Sequence, residues 1–319
     1  MKNISNFKKM MLVCLVSLVA FSCDDDDTGT VPSQNKITTI AAATPDLSIL
    51  VSALDRANLI SVLDGDGPFT VFAPTNTAFQ AFLTANNFAD LDAVPDAVLT
   101  QVLLNHVVAG SFQSTQLTTG YISTQATSTA SGTSMSLFVN TANGVRLNGV
   151  STVTTPNVMA SNGVVHIVDA VIGLPTVVTF VQADPNYEIL LAAVTRDEAA
   201  GFPAALSATG PFTVFAPTND AFVAFLTETG FPDLASIPES VLTTVLAYHV
   251  APANVRSTQI TNGQVVNTLA DQNFTINTTA GVKITDVSDR ESEVIVPLDV
   301  QANNGVIHTV NKVLLPLLP

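Results

Sequence analysis

Apolar and polar positions alternate along this chain in two rhythms, and the whole succession of rhythms occurs twice. Leu47, Leu50, Val51 and Leu54 fall at i, i+3, i+4 and i+7, the spacing that gathers apolar side chains on one face of a helix. Ile189, Leu190, Ala193 and Val194 predict the matching helix in the second half. Phe69–Pro74 and Phe212–Pro217 are β-branched and aromatic runs closed by proline, which predicts a strand. Thr75-Asn76 and Thr218-Asn219 come next, and Asn76 and Asn219 are expected to cap the following helix. The first N–H groups of a helix lack intrahelical acceptors, and a capping oxygen there contributes about 1 kcal/mol. That helix is expected to bury Phe79, Phe82 and Leu83 in one copy and Phe222, Phe225 and Leu226 in the other.

A second helix is predicted after Pro95-Asp96 and after Pro238-Glu239. Proline suits a first turn, where its missing N–H is not needed, and an acid there meets the positive end of the helix dipole. Val98, Leu99, Val102 and Leu103 form its expected buried stripe, repeated as Val241, Leu242, Val245 and Leu246. The remainder reads as strand. Leu137–Asn148 and Phe274–Thr285 are predicted hairpins, and Gly163–Val168 and Gly305–Val310 are predicted last strands, each preceded by an Asn-Gly turn. Helices and strands in this order predict an α+β unit built mainly on antiparallel sheet.

The repetition extends to the residues themselves. Gly67–Thr84 and Gly210–Thr227 agree at sixteen of eighteen positions across an offset of 143 residues. Solenoid units run roughly 20–50 residues and cannot stand alone. A unit of this length can bury its own core. The expected domains are therefore 36–175 and 176–319, and the short join near Pro175 predicts that they touch.

The first 23 residues read as a leader: three early lysines, an apolar Met10–Phe21, then Ser22 and Cys23. This pattern is similar to a bacterial lipoprotein signal, with Cys23 as the lipidated residue and the membrane as a partner through that lipid. An ordinary secretory leader with an incidental cysteine is the plainer alternative. Residues 24–35 read as an acidic and polar tether. The run Asp24–Asp27 resembles the surface-export signal of Bacteroidetes lipoproteins, whereas in enterobacteria an Asp in that place points to inner-membrane retention. Display on the outer membrane surface, in the cell envelope, is the expected location.

Charge and cysteine usage narrow the chemistry. The whole-chain net charge of −15 becomes −18 once the leader's three lysines are removed, which argues against nucleic acid as a partner. Cys14 lies in the leader and Cys23 at its end, so neither expected domain holds a disulfide, a cysteine nucleophile or a cysteine metal ligand. Four histidines form two matched pairs, His106 with His166 and His249 with His308, spaced 60 and 59 residues apart. Those spacings fit no compact ligand motif. All four are expected to be structural, held by hydrogen bonds in the interior, because a buried imidazole without partners is costly. In the last strand Val306, His308 and Val310 share one face, and the other face, with Thr309 and Asn311, is the more polar; His308 is therefore expected to point inward. No nucleophile elbow, no His-Glu-x-x-His and no phosphate-binding glycine loop occurs. No catalytic residue, metal site or cofactor is expected.

Gly-Pro-Phe-Thr-Val-Phe-Ala-Pro-Thr-Asn, present at 67–76 and 210–219, resembles the first signature block of the fasciclin domain family. Residues 162–169 and 304–311 resemble its second block, and Tyr248-His249 its Tyr-His motif, with Asn105 standing where domain one would have the tyrosine. The resemblance implies two tandem wedge-shaped antiparallel β-sandwiches flanked by α-helices, and a role in adhesion or matrix contact outside the cell. In animal members an Asp-Ile motif and the Tyr-His region have been tied to integrin binding. Asp299-Val300 sits at the Asp-Ile place here, while domain one has Asn157-Val158. Tyr248, His249, Asp299 and Val300 are therefore candidate partner-binding residues; the plainer reading is that Tyr248 and Asp299 serve packing and turn geometry.

The function these observations favour is a lipid-anchored, surface-displayed, non-catalytic adhesion or interaction module, with a protein or polysaccharide ligand outside the cell and homophilic contact as one form of it. Two weak sites on one chain gain avidity. The alternative is an accessory protein that binds glycan or matrix polysaccharide. The absence of tryptophan and the presence of only three tyrosines count against it.

Overall fold

The computed structural model describes residues 35–196 and 201–318; the leader, Cys23 and the acidic run lie outside the described residues. The first half runs α1 (Ile37–Ala43), α2 (Ser48–Arg56), α3 (Ile60–Leu63), β1 (Phe69–Pro74), α4 (Asn76–Ala85), α5 (Asp96–Leu104), β2 (Val107–Ala109), β3 (Gly120–Thr127), β4 (Ser134–Asn140), β5 (Arg146–Leu147), β6 (Ser151–Ala160) and β7 (Gly163–Val168). Its seven strands form a sheet in the order β2-β1-β7-β6-β5-β4-β3. The strands at its two ends, β2 and β3, also pack against each other, so the sheet curls.

The second half repeats the plan: α6 (Val177–Ala183), α7 (Glu188–Thr195), α8 (Phe202–Ser207), β8 (Phe212–Pro217), α9 (Asn219–Thr229), α10 (Glu239–Tyr248), β9 (Val250–Ala251), β10 (Gln264–Asn267), β11 (Asn273–Asn277), β12 (Lys283–Thr285), β13 (Glu291–Gln301) and β14 (Gly305–Val310). Its sheet has the same order, β9-β8-β14-β13-β12-β11-β10. Both halves are thus helix-flanked sheets of mixed α+β content, as the sequence pattern predicts.

One pairing departs from an antiparallel plan. β1 lies parallel to β7, with Phe72 opposite His166, and β8 lies parallel to β14, with Phe215 opposite His308. These strands are central, and every residue of β14 is buried. A central strand covered on both sides does not sort polar from apolar by face. The expectation that the Thr309 face of β14 is the outer one is accordingly corrected. The Thr309 hydroxyl donates to Pro297 O at 2.6 Å and lies 2.6 Å from the hydroxyl of fully buried Tyr187.

The signature block and the Asn-Gly turn make a single joint. Asn162 accepts the Ile37 N–H through Oδ1 at 3.0 Å, which pins the start of α1, and donates through Nδ2 to Leu63 O at 2.7 Å and Gly65 O at 2.9 Å. Asn304 does the same for Val177 N–H, Leu206 O and Ala208 O. Gly67 and Gly210 adopt φ of +63° and +72°, and a Cβ on them would stand 2.3 and 2.1 Å from the carbonyl oxygens of Asn162 and Asn304. Only glycine meets both demands.

The helix caps also differ from expectation. Thr75 and Thr218 are the N-caps, with extended backbone and Oγ1 accepting the N–H of Ala78 and of Ala221, both at 3.2 Å. Asn76 and Asn219 sit one residue inside, where a side chain points away from the helix end. Asn76 accepts the Ile49 N–H at 2.9 Å and donates to Pro45 O at 3.0 Å; Asn219 accepts from Ile189 and donates to Pro185 O. Each asparagine clamps α4 or α9 to the first turn of α2 or α7. The expected stripe of α5 is buried at Leu99, Val102 and Leu103, whereas Val98 is 36% exposed.

Among the described residues the buried cores belong to their own halves except at the β3–β4 hairpin, from which Phe138 and the partly buried Tyr121 reach the core of the second half. Phe138, on β4 of the first half and 1% exposed, packs in the apolar cluster of the second half with Phe180, Phe222 and Val300. Both halves lie in one compact unit.

Candidate functional site

The four histidines are all buried, and each bridges two backbone groups. His106, at the end of α5, donates from Nδ1 to Val102 O at 2.7 Å and accepts the Ile172 N–H on Nε2 at 2.9 Å. His249, after α10, donates to Val245 O at 2.7 Å and accepts the Leu314 N–H at 2.9 Å. This pair ties a helix end to the strand-exit segment of its own half. His166 on β7 and His308 on β14 use the other tautomer. Nε2 donates to Phe112 O and Val255 O, both at 2.8 Å, and Nδ1 accepts the N–H of Asn157 and of Asp299 at 3.2 and 3.3 Å.

An imidazole that donates once and accepts once must be neutral. Protonation would turn the accepting nitrogen into a second donor facing an N–H. Burial accordingly pushes His106 and His249 down to about 4, against the favourable pull of the Val102 and Val245 carbonyls. Burial also lowers His166 and His308. Among the described residues no group of three or more His, Cys, Asp or Glu could hold a metal ion.

Asp299 and Asn157 occupy equivalent places, at bulges in β13 and β6, with φ of +55° and +62°. Each bonds the loop opposite. Asn157 Oδ1 accepts the Ser114 N–H at 2.7 Å, and Asp299 Oδ1 accepts the Ser257 N–H at 2.7 Å. Asp299 also takes the Ser257 hydroxyl and lies 3.8 Å from Arg256 Nη2. Of the four candidate contact residues, Tyr248, His249 and Val300 are at most 3% exposed. Tyr248 is packed edge-on against Phe274 and donates its hydroxyl to Asn273 O at 2.9 Å. Only Asp299 keeps an exposed edge. The residues that do reach solvent beside it are Val296, 79% exposed, and Leu298, 38% exposed. Alternation along a strand does not reveal them, because the bulge breaks it.

The junction between the halves is a second built site, which periodicity does not show. The β3–β4 hairpin of the first half reaches across to the end of β13. Ser128 donates to Ala302 O at 2.7 Å, the Gln301 N–H donates to Ser136 Oγ at 3.0 Å, and the Ala130 N–H donates to Asn303 O at 3.1 Å. Tyr121 donates its hydroxyl to buried Asp184 at 2.9 Å, and its ring packs tilted on Phe138 at 4.9 Å and edge-on to Phe180 at 5.5 Å. Burial, with Tyr187 and Asp184 beside it, pushes the Tyr121 phenol far up. In the second half the corresponding strands, β10 and β11, are shorter. Val265 and Thr275 hold the register places of Tyr121 and Phe138. The joining hairpin therefore belongs to the first half alone. The polar signal for it in the sequence is the Ser/Thr-rich stretch 127–134, which reads locally as a loop.

Two copies of one helix-flanked sheet, docked without a free linker and using their histidines as frame members, define a tandem-module protein. A fasciclin domain model matches residues 45–175 and 185–316, and the chain belongs to that family. Protein sll1483 of Synechocystis is 38% identical over 144 residues, 44% of this chain and 73% of that protein. The pig transforming growth factor-beta-induced protein ig-h3 is 29% identical over 290 residues, 90% of this chain; this chain thus spans 38% of that protein's length. A solved FAS1 domain pair from the insect cell adhesion molecule fasciclin I aligns over 84% of this chain and 92% of that one, at 20% identity and a TM-score of 0.47.

Proposed function

We propose that this protein is a non-catalytic interaction module, held to the outer membrane through lipid on Cys23 and displaying its fasciclin pair outward for adhesion. The observation that carries this reading is the junction. Tyr121, Ser128, Ser136 and Phe138 fix the two halves against each other, so surfaces on both are presented at a set separation. Pre-organised presentation reduces the entropy lost when two weak contacts form together. The exposed corner Val296-Pro297-Leu298-Asp299 is the contact element of the second half. His308 and Thr309 support it from within, His308 accepting the Asp299 N–H and Thr309 donating to Pro297 O.

The test uses cells that carry the full chain. Protease shaving of intact cells removes the protein under this proposal, and Cys23→Ser releases it from the membrane fraction. Attachment of cells to matrix-coated surfaces falls when Val296 and Leu298 are both replaced by Asp. A protein that survives shaving, or attachment that ignores the corner variant, contradicts the reading. Binding to glycan is the second reading, and a groove in the first half favours it.

A further inference from the structure

A groove of about 470 Å³ opens on the first half, beside the junction. Its walls come from α4, α5, the turn 148–150, the segment 171–175 and Thr179 of α6. That volume falls within the roughly 300–1,000 Å³ range of small-ligand sites. Phe82 and Phe88 line it half-buried, and Val98 and Val150 stand at its rim, 36% and 57% exposed. None of its lining side chains is charged.

Two carboxamides in the groove have unspent bonding capacity. Asn148 is 3% exposed. Its Oδ1 accepts the Phe138 N–H at 2.8 Å, and its Nδ2 has no hydrogen-bond partner. Asn86 donates from Nδ2 to Phe82 O at 2.8 Å, which leaves Oδ1 as an acceptor. The groove therefore offers one amide acceptor, Asn86 Oδ1, and two aromatic walls, while the unpaired Asn148 Nδ2 is closed off from solvent behind its wall.

The second half closes the same place. Its turn 286–290 is five residues long where 148–150 has three. Arg290 lies across it, paired with Glu228 of α9 and donating to Val313 O at 3.4 Å. Asp286 accepts the Leu315 N–H at 3.0 Å. One copy of the duplicated unit thus fills the site with an ion pair, and the other leaves it open and neutral.

We infer that this groove takes one uncharged sugar residue of a neutral polysaccharide. A pyranose has an apolar C–H face to lay on a phenylalanine ring, and hydroxyls that donate to the free Oδ1 of Asn86. A carboxylate or phosphate would find no cation, and an acyl chain would leave the Asn86 carboxamide unmatched. The inference deepens the reading of an extracytoplasmic binding module by naming its ligand class, and relies on that reading for where ligand and protein meet.

The test is calorimetric titration of the purified full chain with neutral hexasaccharides (β-glucan, xylan and mannan), with polygalacturonate as the anionic comparator. At least one neutral probe binds in the millimolar range or tighter, and polygalacturonate does not displace it. Val150→Glu and Asn86→Leu, both at exposed positions, weaken binding about tenfold or more while thermal melting stays at the parent value. Either variant suffices if the other fails to fold. Absence of binding by every neutral probe, equal binding by the variants, or displacement by polygalacturonate or by an apolar peptide overturns the inference. Protease shaving is scored separately, so a failed titration with intact surface display removes only the sugar site.

Discussion

Acidification tests the histidine frame directly. His106 and His249 are held to about 4 in the folded chain by burial, against about 6.5 when unfolded. The sign follows from proton counting. Between those values the unfolded chain binds more protons than the folded one, so stability rises with pH there. The stabilisation is complete above 6.5 and is lost as pH falls toward 4. At about pH 5 an unfolded imidazole is almost fully protonated and a folded one about a tenth so, which costs about 2 kcal/mol per histidine, about 4 for the two. That is a large part of the roughly 5–15 kcal/mol typical of folded proteins. Relief of charge repulsion in a chain of net −15 acts in the opposite direction, so the comparison needs an internal control. Urea denaturation at about pH 7.5 and about pH 5 is run on the parent and on the His106→Gln/His249→Gln double variant. The parent loses stability on acidification, while the variant, already weaker at the higher pH, loses markedly less. A pH response in the variant as unfavourable as the parent's would refute the bridging role.

Other substitutions probe separate parts of the frame. His308→Ala removes the acceptor for Asp299 N–H and the donor to Val255 O, and lowers the melting temperature; an unchanged melting curve contradicts a structural His308. Phe138→Ala leaves a cavity in the core of the opposite half and costs about 3–5 kcal/mol, read by calorimetry as a fall in the transition of the second half. Thr218→Ala costs about 1 kcal/mol as the loss of a true cap; a Thr218→Ala chain as stable as its parent in denaturant would contradict that assignment. Gly210→Ala forces a Cβ against Asn304 O and costs several kcal/mol, measured by denaturant midpoint, whereas Gly230→Ala meets no neighbour and costs only about 1 kcal/mol for its positive φ.

Much of the chain's architecture is legible in its local pattern. Periodicity places α2, β1, α4, α5 and β7, because each depends on contacts a few residues away in sequence. The duplication is readable from identity alone, and the polar character of Asn-Gly marks its turn. What periodicity does not supply is partnership. That β1 lies beside β7, in parallel and nearly a hundred residues later, rests on pairing energy between distant segments. So does the burial of both faces of β14, which reverses the reading of Thr309 as outward.

The same limit governs the sites. Tyr248 and Asp299 are visible as motif positions, but their burial and bonding depend on what packs over them. Asn148 and Asp286 stand at comparable turns, and only the path of the chain after them makes one groove open and the other sealed by Arg290 and Glu228. The order of residues is enough to establish the repeated unit, its elements and its lack of cysteine chemistry between 36 and 319, since these are properties of residues and their near neighbours. Which half carries the joining hairpin, which histidine nitrogen donates, and where an unspent amide is left are settled only in the folded molecule, because each is fixed by groups brought together when the chain closes on itself.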